Sequence, residues 1–246
     1  ADVEKYNRAI HSEGANLELS NSGVINGAVY SNSSQTTAVD IANSGEITAY
    51  TTSMGNNTVV ATSNGLLTLS GNGGIYELAA NPVTGNLNGD IVSGQNGIRV
   101  TADNSVFKAG SDITVGNGTV KGLFNDYGKN IEIIGDGNSI TIVNKRSAYG
   151  IEEFSYDKYA DVILSGDKTT ISVESRSDAK GIISRNGDII ISGSGIEISA
   201  VSVGSYAYGL ETNDVKDYSG NVVIGEFNTD GSVASASDVK ITVEGV

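Results

Sequence analysis

The residues that could carry chemistry are few and spread thinly along the 246-residue chain. There is one histidine, His11, and no cysteine, which excludes disulfides, thiolate metal sites and cysteine nucleophiles. A serine triad would have to use His11, and no Gly-x-Ser-x-Gly elbow lies near it. Gly135-Asp136-Gly137-Asn138 holds a fragment of a calcium-binding turn. The full Gly-Gly-x-Gly-x-Asp nonapeptide is missing, so this segment reads as a tight turn. Glu152 and Glu153 are sequence neighbours and would point to opposite faces of a strand. Asp157 and Asp161 fall in a loop, and Lys145-Arg146 is the only adjacent basic pair. In this reading nothing pairs two carboxylates for acid/base work, and no catalytic, cofactor or metal residue is assigned. What remains is contact chemistry. Lys121, Tyr149, Lys180 and Tyr208 each precede a glycine. They would form an exposed column of alternating Lys and Tyr, with cation–π contacts of roughly 0.5–1 kcal/mol each. Tyr156, Asp157, Tyr159 and Tyr218 lie in inserts that would form loops on one edge, where repeat proteins place their binding residues.

The elements that must position these residues repeat. Ala148-Tyr149-Gly150-Ile151 recurs at 179–182 and 207–210, with a weaker copy at 120–123. Its glycines are 28, 31 and 28 residues apart. Between copies run two short β-branched segments, such as Ile131-Glu132-Ile133 and Ile140-Thr141-Ile142. Nearer the start, Asn21-Ser22-Gly23 returns as Asn43-Ser44-Gly45 and, more loosely, as Ser63-Asn64-Gly65, with glycines 22 and 20 residues apart. Gly permits positive φ and Asn tolerates it, so these triplets read as corners, and the Asn side chains could stack as a ladder. Leu17-Glu18-Leu19, Val39-Asp40-Ile41 and Val59-Val60-Ala61 are taken as the matching strands. Gly97 is taken as the counterpart of Gly122. Inward Ala148, Ala179 and Ala207 would line a tight corner.

The expectation is an all-β chain: one right-handed parallel β-helix, a β-solenoid of about nine coils with three short strands each. At ~4.8 Å per coil its length would be roughly 40 to 45 Å. Residues 1–16 would cap it, 17–95 would make coils of about 20–22 residues, and 96–246 coils of about 28–31 residues with edge loops. The apolar finish at Val246 is read as the mark of an excised fragment.

Composition agrees with such a stack. There are 32 glycines and one proline, and the apolar residues are mainly Ile, Val and Ala, which suit pleated strands. The net charge is −14, and no Lys or Arg occurs between Asn16 and Ile98. Such a chain lacks the clustered cations that nucleic-acid binding needs. No apolar run approaches the ~20 residues of a membrane-spanning helix.

At Asn-Ser-Gly-x-Ile and Ala-Tyr-Gly-Ile the sequence resembles the passenger domains of Gram-negative autotransporter adhesins, over about residues 17–246. The resemblance implies export by type V secretion and display on the outer-membrane surface. It also implies cell adhesion, self-association and biofilm formation. Its partners would be a host-cell or matrix component (protein or glycan), or another copy of itself. The membrane would be met only through a C-terminal barrel that this sequence does not include. The alternatives are a carbohydrate-active β-helix enzyme and a passive surface-layer spacer.

Overall fold

The computed structural model describes residues 8–32, 34, 36–52, 58–154, 159–213, 220–227, 233–234 and 238–245. Among them the chain is all β, without a helix. Three parallel sheets of eight strands each form a β-solenoid. The first face runs from Arg8–Glu13 to Ala207–Thr212, the second from Leu17–Asn21 to Val222–Ile224, the third from Val24–Asn26 to Lys240–Glu244. Each strand on a face is the third along from its predecessor, save the last on the third face. Before that strand lies a small antiparallel pair, Glu226–Phe227 with Val233–Ala234.

Eight rungs replace the expected nine, so the stack spans about 34 Å at ~4.8 Å per step. The coil lengths also differ from expectation. Leu17 lies on Val39, 22 positions on, but Val39 lies on Leu67 and Leu67 on Ile98, steps of 28 and 31. Only the first coil is short. The third member of the supposed short family, Val59-Val60-Ala61, belongs to the first face, within Thr58–Ser63. Residues 8–13, assigned to a cap, are the first strand of the stack and pair with Ala28–Asn32.

The interior follows from period-two alternation. On the third face Ile140, Ile171 and Ile198 stack in register and are almost wholly buried. Each contributes roughly 1.5–3 kcal/mol of burial. Two rungs carry aromatics in the same column: Tyr76 and Phe107 lie flat on one another, centroids 5.0 Å apart.

Asn21-Ser22-Gly23 and Asn43-Ser44-Gly45 are corners, as expected, between the second and third faces. Ser63-Asn64-Gly65 turns a different corner, between the first and second faces. The reason for glycine differs too. Gly23, Gly45 and Gly65 do not have positive φ. A Cβ on Gly45 would run into the Gly23 carbonyl of the neighbouring rung, and one on Gly65 into the Thr37 carbonyl. Rungs this close leave no room for a side chain.

The expected Asn ladder exists in steps. Asn21 Nδ2 donates to Asn43 Oδ1 (2.9 Å), Asn64 to Asn32 (2.9 Å) and Asn104 to Asn72 (3.1 Å). From Asp103 onward aspartate takes over. Asp103, Asp136 and Asp167 accept, through Oδ1, the backbone N–H of Asp136, Asp167 and Ser194 at 2.8–2.9 Å. Asp161 and Asp188 likewise accept the N–H of Asp188 and Asn221. The Gly135–Asn138 segment is therefore a turn within this ladder.

Candidate ligand-binding face

The first face is where side chains do more than stack. Its strands carry Ala-x-Gly-Ile, and the glycine changes their geometry. Ala148 and Ile151 are both fully buried. Gly150, between Tyr149 and Ile151, also faces inward, since a Cβ there would lie 2.5 Å from both the Gly181 carbonyl and Ile171 Cγ2. Two consecutive inward residues shift the alternation, so Tyr149 and Glu152, three apart, both face outward. The glycines expected at corners thus lie inside strands, and inward Ala148 lies at a strand's start. Ala207, on the last rung, is only partly buried.

The shift creates two outward columns. One is Asp90, Lys121, Tyr149, Lys180 and Tyr208, in register. The other is Ser93, Phe124, Glu152, Ile183 and Glu211. The Lys/Tyr alternation stands as expected, but it is less exposed. The Lys121 and Lys180 side chains are 19% and 13% accessible. Lys180 Nζ sits between the rings of Tyr149 and Tyr208, 5.5 and 5.3 Å from their centroids, and pairs with Glu211 at 2.6 Å.

One rung back the columns lock together. Glu152 is 1% exposed and holds two cations. Lys121 Nζ lies 2.7 Å from its Oε2. Arg185, just beyond the strand of the next rung, donates Nε and Nη2 to Oε1 at 2.9 and 2.6 Å. Each cation also covers a ring: Lys121 Nζ is 3.2 Å from the Phe124 centroid, and Arg185 Cζ 4.8 Å from that of Phe154. A carboxylate can be buried this way because its partners are close and multiple.

Beside this cluster opens a hollow of about 470 Å³, lined by Asp90, Lys121, Phe124, Asp126, Tyr149, Glu152, Phe154 and Arg185, with Asn88 and Thr119. Asp90 is 6% exposed. Burial pushes its carboxyl up to about 7; Lys121 opposes the rise, and Glu152 and Asp126 add to it. Burial also raises Asp126, again against Lys121, and it raises the Tyr149 hydroxyl. Glu153, at the corner behind Glu152, is fully buried, and that burial pushes its carboxyl up to about 8.

Tyr159, half exposed, lines a second hollow of about 380 Å³ on the second face. The ion pair Arg99–Glu132 (2.8 Å) shares that hollow. Tyr156, Asp157 and Tyr218 lie outside the described residues. His11 is exposed near the start of the first face, its ring 5.3 Å from that of Tyr30. Among the described residues no group of three or more His, Asp or Glu is placed to hold a metal.

The structure thus brings Lys121, Tyr149, Lys180 and Tyr208 together and keeps Tyr159 apart. It adds Asp90, Asp126, Glu152 and Arg185, none of which the sequence reading placed in a site. Matching Gly97 with Gly122 hid Asp90. In the structure Gly89 pairs with Val120 and Asp90 with Lys121, while Gly97 precedes a second-face strand. The usable signal was the outward position before and after each Ala-x-Gly, carried one rung further back. The hollow combines hydrogen-bond acceptors, cations and aromatic walls, which equips it to hold a small ligand. Comparison with protein-family models, curated proteins and solved structures gives no match for this chain.

Proposed function

We propose that this chain is the passenger of a type V autotransporter, displayed outside a Gram-negative cell. There it acts as an adhesin, attaching to a host-cell or matrix component or to another copy of itself. The repeats that resemble adhesin passengers support this reading. The observation that carries it is the first face, where a Lys/Tyr column runs into a ligand-sized hollow. A rigid stalk bearing such a face suits repeated weak contacts, whose avidity exceeds any one of them.

The test displays the protein on a non-adherent bacterium and measures attachment to epithelial cells, to matrix-coated wells and between the bacteria. The wild type should attach, and Lys180→Ala with Tyr208→Ala should attach several-fold less. A displayed wild-type protein that attaches to nothing would leave the spacer reading standing in its place.

One observation favours a second reading. Asp90 and Asp126 share a hollow, and Asp90 is pushed up to about 7, within the range of a general acid at neutral pH. A carbohydrate-active enzyme would release new reducing ends or unsaturated sugars from a polysaccharide panel and would lose that turnover in Asp90→Asn.

A further inference from the structure

The Asp90 carboxyl stands at the hollow of this face. It is more than nine-tenths buried and lines the hollow. Among the described residues no hydrogen bond or ion pair reaches it. Its nearest cation, Lys121, is committed to Glu152 at 2.7 Å. The carboxyl borders the hollow, so a ligand seated there can supply it with a donor.

The remaining lining restricts what that ligand is. An anion would face the carboxylates of Asp90, Asp126 and Glu152, while both cations are occupied by Glu152. An ammonium would enter the field of Lys121 and Arg185. A neutral molecule rich in hydroxyls avoids both penalties. Its O–H groups donate to Asp90 and Asp126, and its oxygens accept from the spare N–H donors of Lys121. The rings of Phe124, Tyr149 and Phe154 form apolar walls suited to a C–H face. A pyranose has hydroxyls around its rim and C–H groups on its face.

We propose that the hollow between Asp90 and Arg185 binds a neutral sugar ring. Asp90 and Asp126 accept its hydroxyl protons, and Tyr149 with the two phenylalanines meets its C–H face. The proposal rests on the adhesin reading and names the glycan as what that adhesin holds. Two sources supply such sugars: neutral glycans of host glycoproteins and neutral exopolysaccharides of neighbouring bacteria.

The test has two readouts. The first is binding of the purified protein to immobilised neutral oligosaccharides in two arms, one from animal glycoproteins and one from bacterial exopolysaccharides. Sulfated oligosaccharides and spermidine serve as counter-ligands. The wild type should prefer neutral sugars, and the arm that binds identifies the source. Asp90→Asn and Tyr149→Ala should weaken binding about tenfold or more, the scale of a lost charge-assisted hydrogen bond or ring contact. Asp126 is exposed, so Asp126→Asn will fold and should also lose about tenfold. Asp136→Asn, in the turn ladder, should bind as the wild type does. No binding to neutral sugars, equal binding by Asp126→Asn, or a preference for sulfated glycans or spermidine overturns the proposal. The second readout is attachment of the displayed protein to cells. Attachment without sugar binding sinks the glycan and spares the adhesin. Sugar binding without attachment does the reverse.

Discussion

Asp103, Asp136 and Asp167 stand at successive turns, and each gives an oxygen to the backbone N–H of the next rung. Asp90, Glu152 and Glu153 lie on the first face and are almost wholly buried. The first group repeats from rung to rung and is consumed by the stack. The second does not repeat: the positions in register with Glu152 are Phe124 and Ile183. A solenoid thus uses one kind of side chain in two ways. Where acids recur in register they close backbone hydrogen bonds; Glu152, which breaks register, holds Lys121 and Arg185 instead, and Asp90 lines the hollow.

The contrast can be broken most forcefully at Glu152. Glu152→Ala strands Lys121 and Arg185, whose side chains are only 19% and 26% exposed. It should cost about 3–5 kcal/mol, measured by urea unfolding. A loss under about 1 kcal/mol would mean that the cluster is as dispensable as a surface pair.

Next comes a pH effect. Glu153 is raised from its usual 4.5 to about 8, so the folded state holds its proton where the unfolded state has released it. Its stabilising contribution is complete below 4.5 and is lost as pH rises towards 8. Asp90 acts in the same direction between 3.8 and about 7. Wild-type stability should fall by about 2–3 kcal/mol between mildly acidic and mildly alkaline pH. Glu153→Gln should remove the decline above neutrality and part of that below it, and Asp90→Asn the rest of the decline below neutrality. Thermal melts across pH check both.

Gly150→Ala sharpens the contrast from the backbone side. Its Cβ would meet the Gly181 carbonyl and Ile171 at 2.5 Å, so it should cost roughly 2 kcal/mol and disturb the Tyr149–Glu152 spacing. The smallest effect is expected in the ladder. Asp136→Ala removes one exposed acceptor and should cost about 1 kcal/mol or less without altering ligand binding.

Much of the architecture could be read from the chain. Ile131, Val162 and Ile189 do stack on one face, and Ile140, Ile171 and Ile198 on another. The Lys121–Tyr208 column was legible because Ala-x-Gly-Ile marks its register. Two things were hidden. The glycines look like turn formers, and only the close approach of neighbouring rungs shows that they are needed inside strands or for stacking. The Asp90–Glu152–Arg185 cluster spans four rungs of unequal length, and its members share no motif. Arg185 lies 33 positions from the Glu152 it holds, and nothing in the local sequence links them.

The register of the first face has one more consequence. Ala148 lies on Val120 and under Ala179, and each strand pairs only with the rungs directly before and after it. Length is therefore a modular property. Excising residues 148–178 would bring Val120 against Ala179 and Ile140 against Ile198, residue types that already suit each other. The shortened protein should fold as a seven-rung body. It would also lose Glu152 and set Lys121 beside Lys180, so the same cut that leaves the scaffold whole erases the hollow. In such a chain, gain or loss of a single coil could change what the surface recognises without the rest of the sequence changing at all.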